Sequence, residues 1–288
     1  MNRIKEMAKS AVSFMKGTPQ RVKAGFKNFH FTRKVFSYPY ILFLLLFVVV
    51  PTAMIIVRAF ISEGKLSFDN FTAFFTDGAS LITLGNSILI GVLTTVICLL
   101  VGYPVAFILS KMNSGKVLVM LFVLPMWVNF LIRTLATKAL FQAASLPLGL
   151  GAVLFCMVYN YLPFMILPLH TTISGIDKSY VEAAQDLGAD KVTVFVKTIL
   201  PLSLPGIISG ITMVFIPTIS TFAITEFLRG NSDIYLFGDS IYIKFMNNAW
   251  GVGAVMSIIM LIMVLISNFF MSKLNDGNES SQVGAKLW

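Results

Sequence analysis

Long apolar runs separated by short polar breaks make up most of the chain. Six of these runs have about the 20 residues that a helix needs to cross a bilayer. Most of them lack the polar stripe that marks a helix on the surface of a soluble protein. The pattern therefore predicts an all-α membrane protein with six transmembrane helices. The predicted spans cover residues 39–60, 84–110, 117–140, 149–173, 200–225 and 250–273.

Between the fourth and fifth runs, residues 175–201 form a polar insert with a helical pattern of its own. Ser179 stands three residues before Glu182, which is the spacing of a capping box at a helix start. Gly188 follows at the place where a left-handed residue closes a helix. The apolar positions in between recur at the spacing of one helix face. They are Tyr180, Ala183, Ala184 and Leu187.

A second helix is predicted directly after this glycine. Asp190 can cap its start, and Pro201 bends the entry into the fifth run. The apolar stripe of this second helix consists of Val192, Phe195, Val196 and Ile199. The insert is thus predicted to be a helix–glycine turn–helix. Periodicity leaves two interpretations equally open, namely that the stripes dock on another protein or that they pack only on this chain.

The insert resembles the EAA loop of ATP-binding-cassette (ABC) importer permeases. Family members carry Glu-Ala-Ala, three residues, Gly, nine residues, Ile, one residue and Leu-Pro. This chain keeps that spacing, with Thr198 in place of the Ile. The resemblance implies a type I importer permease with both helices of the loop on the cytoplasmic side, coupled there to a separate ATPase. The coupling residues that it implies are Glu182, Ala183, Ala184, Gly188, Leu200 and Pro201.

Two further pairs of motifs resemble those of the spermidine/putrescine permeases of the B type. They are Leu124-Pro125-Met126-Trp127 with Leu131-Ile132-Arg133, and Tyr161-Leu162-Pro163-Phe164 with Leu167-Pro168-Leu169. The likeness implies a translocation path for polyamines, built with a C-type permease subunit, two copies of an ABC ATPase and an external polyamine-binding protein. ATP and Mg²⁺ would be bound by the ATPase, so no cofactor is expected in this chain. Importer permeases for sulfate, ferric iron or another small solute share the architecture and are the alternative.

Composition and charge agree with a membrane location. The 288 residues are 57% hydrophobic and 12% charged, about half the charged fraction of a soluble domain. With the N-terminus placed inside, sixteen Lys and Arg fall on the inner side and six on the outer side. This bias favours a multi-pass protein of the bacterial inner membrane with both termini cytoplasmic. A basic arm beside a span marks this side and does not require nucleic acid.

Three regions follow from this orientation. Residues 1–34 are predicted to be a basic amphipathic arm, either a helix on anionic lipid or a solvated tail. Residues 35–273 form the permease domain, and residues 274–288 form a polar cytoplasmic tail. One departure from the family is the short stretch 141–149, where such permeases place a longer outer segment.

No catalytic or metal-binding constellation stands out. Cys98 and Cys156 lie inside apolar runs, and His30 and His170 are isolated. A Gly-x-x-x-x-Gly-Lys-Ser/Thr phosphate loop is absent from the sequence. The chain is therefore expected not to be an enzyme and to hold no metal. An ion-coupled secondary transporter is the weaker alternative, because no repeat between the two halves is evident.

Polar and aromatic residues near the outer halves of the spans are candidates for the substrate path. Carboxylates attract the ammonium groups of a di- or triamine, and an aromatic face holds each by about 0.5–2 kcal/mol. Two alternatives stay open, since Glu226 can pair with Arg229 and the aromatic residues can be packing or interfacial anchors. Arg133 suits a cationic substrate poorly and can cap carbonyls or pair with an acid of a partner. The path candidates are Trp127, Asn129, Arg133, Tyr161, Glu226 and Asp233.

Overall fold

The computed structural model describes residues 37–62, 64–112 and 115–285, without the side chains of residues 37, 116 and 275–285. The predicted amphipathic arm at residues 1–34 lies outside this part. The chain divides into two compact units, one ending at Met54 and one beginning at Ile55, with the boundary inside the first helix.

Most of the described residues lie in helices, which confirms the predicted all-α class. The one β element of this part is a hairpin of β1 (Ile61–Ser62) and β2 (Lys65–Leu66). In chain order the helices are α1 (Ser37–Leu44, a π-helical turn at Leu45–Val49, then Val50–Ala59), α2 (Asp69–Thr76), α3 (Gly78–Lys111), α4 (Gly115–Val123 with a 3₁₀ turn at Leu124–Trp127), α5 (Phe130–Ala143), α6 (Leu150–Ser174), α7 (Lys178–Asp186), α8 (Lys191–Val194, a π-helical turn at Phe195–Ile199, then Leu200–Leu202), α9 (Leu204–Ser220), α10 (Ala223–Leu228), α11 (Phe237–Met246) and α12 (Trp250–Ala285).

Four of these helices are long and apolar enough to cross a membrane unaided. Their apolar parts are Tyr38–Ala59, Gly78–Lys111, Leu150–Ser174 and Trp250–Leu274. Two further candidates are bent pairs of helices, α4 with α5 at 91° and α8 with α9 at 60°. With each pair taken as one span, the total of six agrees with the prediction. The last helix continues past the predicted span into the tail and ends at Ala285.

Of the two bends, the second was predicted from Pro201 at the entry into the fifth span, whereas the first, inside the predicted span 117–140, was not located from the sequence. At the first, Val128 adopts an extended conformation, and the Asn129 side chain accepts a hydrogen bond from the Leu131 N–H and starts a new helix. At the second, α9 starts again after Ser203 with Pro205 in its first turn. The fifth span also ends earlier than predicted, because Thr221 is extended and α10 is a separate helix.

The main core lies where α3, α6 and α9 pack against one another. Small residues on α9 permit the close approach. A Cβ on Gly206 would lie 2.6 Å from the Thr172 hydroxyl oxygen and 3.0 Å from the carbonyl oxygen of Pro168, both on α6. Glycine at such crossings lets helix backbones approach where side chains cannot fit. Cys98 and Cys156, which lie inside apolar runs of the sequence, are buried in this core as free thiols.

A second, smaller core joins α2, α11 and α12 and is centred on Phe74, Phe237 and Met256. It is tied to the start of α3 by an ion pair of 3.1 Å between Lys244 and Asp77. Asp77 also caps α3 by accepting hydrogen bonds from the Ala79 N–H and the Ser80 hydroxyl. The Ser80 hydroxyl and the Lys244 ammonium together lower the pKa of Asp77.

Candidate functional site

The EAA loop (residues 175–201) forms the predicted helix–turn–helix, but its first helix starts differently from the prediction. Asp177, not Ser179, caps α7, and its carboxylate accepts the Ser179 N–H at 3.0 Å. This hydrogen bond holds the pKa of Asp177 below its ordinary value. The predicted capping box was wrong because the chain enters α7 two residues earlier, where an equally good capping side chain is present.

Gly188 closes α7 as predicted. Its φ is +83°, in the left-handed region that favours glycine. The Gly188 N–H donates to the Gln185 carbonyl at 2.8 Å, and the Ala189 N–H donates to the Ala184 carbonyl at 3.1 Å. These two bonds form a Schellman motif, which satisfies the last carbonyls of α7. The turn between the two helices is therefore fixed by its own backbone.

The apolar stripe of α7 is not covered by the described part of the chain. None of the α7 residues is buried. Leu187, at the end of the stripe, is 90% exposed, and Tyr180 and Ala183 are exposed as well. Glu182 lies exposed beside them. Of the two interpretations that periodicity left open, the exposed stripe therefore favours docking on another protein over packing on the described part of this chain.

The second helix of the loop divides its apolar residues between two faces. Asp190 caps α8 as predicted, accepting the Thr193 N–H at 3.2 Å. Ile199 and the unpredicted Val194 are buried, whereas Val192 and Val196 are exposed. The predicted stripe was thus half wrong, because the inward face of α8 is set by its contacts with the helix bundle. Leu200 and Pro201 form the last turn, where the Leu200 carbonyl accepts the Ser203 hydroxyl at 2.8 Å.

Aromatic residues join α8 to α3. The ring of Phe195 meets the rings of Tyr103 and Phe107 edge-on, with centroids 5.8 Å and 5.2 Å apart. The Tyr103 hydroxyl lies 3.0 Å from the Ser203 hydroxyl, in a buried hydrogen bond. Edge-to-face pairs contribute about 0.5–1.5 kcal/mol each beyond area burial. The EAA loop is therefore joined to α3 through packed rings, a contact that the sequence pattern did not reveal.

The path candidates do not form one cluster. Trp127, 85% exposed, lines a cavity of about 990 Å³ between α4 and the end of α6, together with His170. Arg133 is buried and lines a different cavity of about 700 Å³. Asn129 serves as the cap of α5, and Tyr161 is buried in the main core. The path assignments of these residues stay predictions.

The two acidic path candidates lie on the segment that follows α9. Glu226 faces Arg229 at 3.7 Å, which favours the alternative that it forms a surface pair. Arg229 also stacks over Tyr235, 4.0 Å from the ring centroid. Asp233 is exposed. Such an exposed pair contributes little stability, so Glu226 remains available to a cationic ligand.

Asp239 is the acidic residue of this segment that was not selected from the sequence. It is buried, and its carboxylate accepts hydrogen bonds from the Thr225 hydroxyl and the Leu236 N–H, both at 2.7 Å. It thereby ties α10 to α11. Burial raises the pKa of Asp239 to about 6, against hydrogen bonds that lower it. Its position in the first turn of α11 gave the only sequence signal.

We expect the stability of the protein to fall between about pH 5 and about pH 7.5. The pKa of Asp239 in the folded protein lies above its unfolded value of 3.8. The protonated carboxyl therefore stabilises the folded protein fully below pH 3.8, and this stabilisation is lost as the pH rises through about 6. The loss over this range is roughly 1 kcal/mol. Thermal midpoints in detergent at both pH values measure it. An Asp239→Asn variant should lack this pH-dependent loss of stability. An equal pH dependence in the variant would show that Asp239 does not cause it.

Comparison with known proteins gives one family and several relatives. The family model described as "Binding-protein-dependent transport system inner membrane component" matches residues 24–278. The spermidine/putrescine transport system permease protein PotB of Escherichia coli K12 is 34% identical over 248 residues, 77% of this chain and 90% of that protein. PotB of Haemophilus influenzae is 32% identical over 259 residues, 81% of this chain and 90% of that protein.

Solved structures share the fold at low sequence identity. A subunit of a bacterial ABC transporter that imports the acidic polysaccharide alginate has a TM-score of 0.66 at 15% identity, covering 83% of this chain and 94% of its own. A subunit of the MetNI methionine ABC transporter in an inward-facing conformation has a TM-score of 0.55 at 16% identity. The match covers 69% of this chain and 95% of that subunit.

Proposed function

This chain belongs to the family of inner membrane components of binding-protein-dependent transport systems, and on that premise we propose that it lines the path of an ATP-driven importer for polyamines. The substrate class is supported by relatives named as spermidine/putrescine permeases at 32–34% identity. The proposed assembly holds a second permease subunit of the C type, two copies of an ABC ATPase and an external polyamine-binding protein. The ATPase binds ATP and Mg²⁺, and both termini of this chain are cytoplasmic.

The observation that carries the proposal is the uncovered stripe of α7. A helix with an apolar face and no buried residue has nothing to hold that face within the described part of its own chain. Its end is fixed by the Gly188 motif, and its neighbour α8 is packed on α3 through Phe195. This arrangement suits a rigid element that docks on the ATPase and passes its movement to the spans. ATP binding would close the ATPase dimer and shift the spans between inward and outward openings.

The proposal is tested by uptake of labelled spermidine and putrescine into liposomes. The liposomes hold this chain with its partner permease and ATPase, and the binding protein is added outside. Uptake that requires both ATP and the binding protein is the expected result. ATP hydrolysis without polyamine uptake would overturn the substrate class and favour another small solute. Uptake by this chain alone would overturn the importer assignment and favour an ion-coupled transporter.

Leu187→Ser should weaken the docking of the ATPase. The change removes an apolar side chain that is 90% exposed in the chain alone, and burying a leucine at an interface contributes about 1.5–3 kcal/mol. We expect the amount of ATPase that copurifies with the permease to fall by about ten-fold. Leu66→Ser is the matched control, because Leu66 is 87% exposed on β2, outside the EAA loop. Equal recovery of the ATPase with both variants would contradict the docking role.

A further inference from the structure

Among the Asp, Glu, Lys and Arg side chains that the structure describes, two are buried, and they differ in their hydrogen-bond partners. Asp239 accepts two hydrogen bonds. Arg133 is only 8% exposed, yet its Nε and Nη1 have no hydrogen-bond partner. The two ion pairs of the described residues do not include it. A guanidinium is always charged, and a charge buried without a partner is strongly destabilising, so the compensating group must lie outside the described residues.

Arg133 opens onto a cavity that has room for a side chain from another protein. The cavity, of about 700 Å³, lies between the α4–α5 bend and the first half of α6. Most of its walls are apolar, for example Ile132, Leu140 and Phe155. Tyr159 and Thr137 add polar atoms, and no acidic residue lines it. An occupant that satisfies Arg133 must therefore supply the negative charge itself.

The depth of the cavity narrows the choice of occupant. The apolar part of α4 runs from Val117 to Trp127. A helix of this length, taken to follow the membrane normal, rises by about 16 Å, which is half of a hydrocarbon layer of about 30 Å. The chain then turns by 91°, and Arg133 follows in the first turn of α5. Arg133 is thereby placed near the middle of the layer, away from the phosphates of the lipid headgroups.

From this geometry we propose that the Arg133 cavity receives an acidic side chain of the partner permease subunit. The carboxylate of a Glu or Asp on a membrane helix of that subunit enters between α5 and α6 and pairs with the guanidinium. The surrounding apolar walls exclude water, and this strengthens the pair once it has formed. The pair joins the two permeases at mid-depth and fixes their register. The inference rests on the two-permease assembly of the proposed function.

Other occupants fit the observations less well. A polyamine carries positive charge and is repelled by Arg133. An anionic lipid would have to bring its phosphate to the middle of the membrane. A second copy of this chain would have to present an acid there, but the described spans hold none within their apolar parts. A partner permease is the occupant whose membrane helices reach this depth.

The test uses the complex of this chain with its partner permease and ATPase. Arg133→Glu places two like charges in the cavity, and we expect the partner permease recovered with this chain to fall by about 30-fold or more. Arg58→Glu is the control, because Arg58 is exposed at the end of α1. Replacing each Asp and Glu of the partner's membrane helices in turn by Lys should reveal one position that restores recovery. Restoration at one position supports the proposal, and unchanged recovery with Arg133→Glu overturns it.

A second variant separates docking from folding of this chain. Arg133→Met removes the charge and keeps the length of the side chain. In the isolated full chain its thermal midpoint should equal or exceed that of the wild type, since an unpaired buried charge is lost. In the complex its midpoint should be lower than that of the wild type. A lower midpoint in the isolated chain would overturn the proposal and assign Arg133 an internal partner, such as the Oδ1 of Asn160, which also has none.

The remaining outcomes assign other occupants. Loss of a tightly bound anionic lipid from Arg133→Glu, measured by native mass spectrometry with the partner still bound, would overturn the proposal in favour of lipid. Loss of pairing between two differently tagged copies of this chain would do so in favour of a homodimer. If no partner permease copurifies even with the wild type, the proposed function itself fails. Equal recovery with wild type and Arg133→Glu removes only this inference.

Discussion

Gly188→Val should uncouple ATP hydrolysis from transport. At a φ of +83°, a side chain brings its Cβ against the following carbonyl, which costs about 1–2 kcal/mol and more for a β-branched residue. The turn relieves this strain by giving up the two bonds that hold α7 to its C-terminal cap. Because α7 carries Glu182 and the uncovered stripe, its orientation on the ATPase is then lost. We expect the polyamine taken up per ATP hydrolysed to fall by about ten-fold.

The measurement is the ratio of uptake to hydrolysis in liposomes of the complete transporter. Gly64→Val is the matched control, because Gly64 has a φ of +79° and, as at Gly188, no atom lies within 4 Å of where a Cβ would sit. It introduces the same local strain outside the EAA loop and should leave the ratio unchanged. Gly188→Asn should retain most of the coupling, since Asn tolerates the left-handed conformation. A Gly188→Val transporter with the ratio of the wild type would refute the role of this turn.

Gly206→Val should prevent stable folding of the helix bundle. Even the first carbon of the new side chain meets Thr172 at 2.6 Å and the Pro168 carbonyl oxygen at 3.0 Å. The carbonyl belongs to the α6 backbone and cannot rotate away, so α6 and α9 must separate where the main core is formed. Overpacking of a core costs about 1–3 kcal/mol and occasionally more. We expect the free energy of unfolding to fall by roughly 3 kcal/mol, the upper end of that range. Little protein should then be recovered from the membrane.

The loss is measured as the thermal midpoint in detergent and as the amount of chain in the membrane fraction. Gly85→Val is the control, since Gly85 also lies inside a helix, α3, but has no atom within 4 Å of a Cβ. It changes helix propensity in the same way without overpacking. The two variants should therefore differ by the packing contribution alone. Equal thermal midpoints for Gly206→Val and Gly85→Val would show that the α6–α9 approach does not limit stability.

The sequence predicted the membrane class and the family correctly. Six apolar runs, the spacing from Glu182 to Pro201, and the motifs around Trp127 and Tyr161 led to a permease of the B type, and the family match and the PotB relatives confirm that recognition. The left-handed Gly188 and the cap at Asp190 are also confirmed. The start of the first helix of the loop was predicted wrongly, because two neighbouring residues were equally suitable as its N-cap. Asp177 and Ser179 both suit a helix start, and only the path of the chain selects Asp177.

The path residues show where sequence reasoning reached its limit. Glu226 and Asp233 were chosen because carboxylates attract the ammonium groups of a polyamine, whereas Asp239, further along the same segment, was not chosen. In the structure Asp239 is the buried one, because Thr225 and Leu236 fold around it. Burial of a carboxylate depends on which residues surround it in space. The spacing of charges along the sequence does not show which residues will pack around a given carboxylate.

By itself the sequence determined what depends on neighbours within a few turns, namely the length of the apolar runs, the stripe of α7, the Gly188 turn and the placement of Lys and Arg along the chain. These features follow from apolar run length, helical periodicity, φ preference and charge placement, each a local property of the chain. Only the tertiary structure decided which faces are covered. Among the described residues it broke the third span, joined Lys244 to Asp77 across 167 residues, left α7 bare and left Arg133 without an acid. The physical reason is that burial and pairing are set by long-range packing, where residues far apart in sequence compete for the same space.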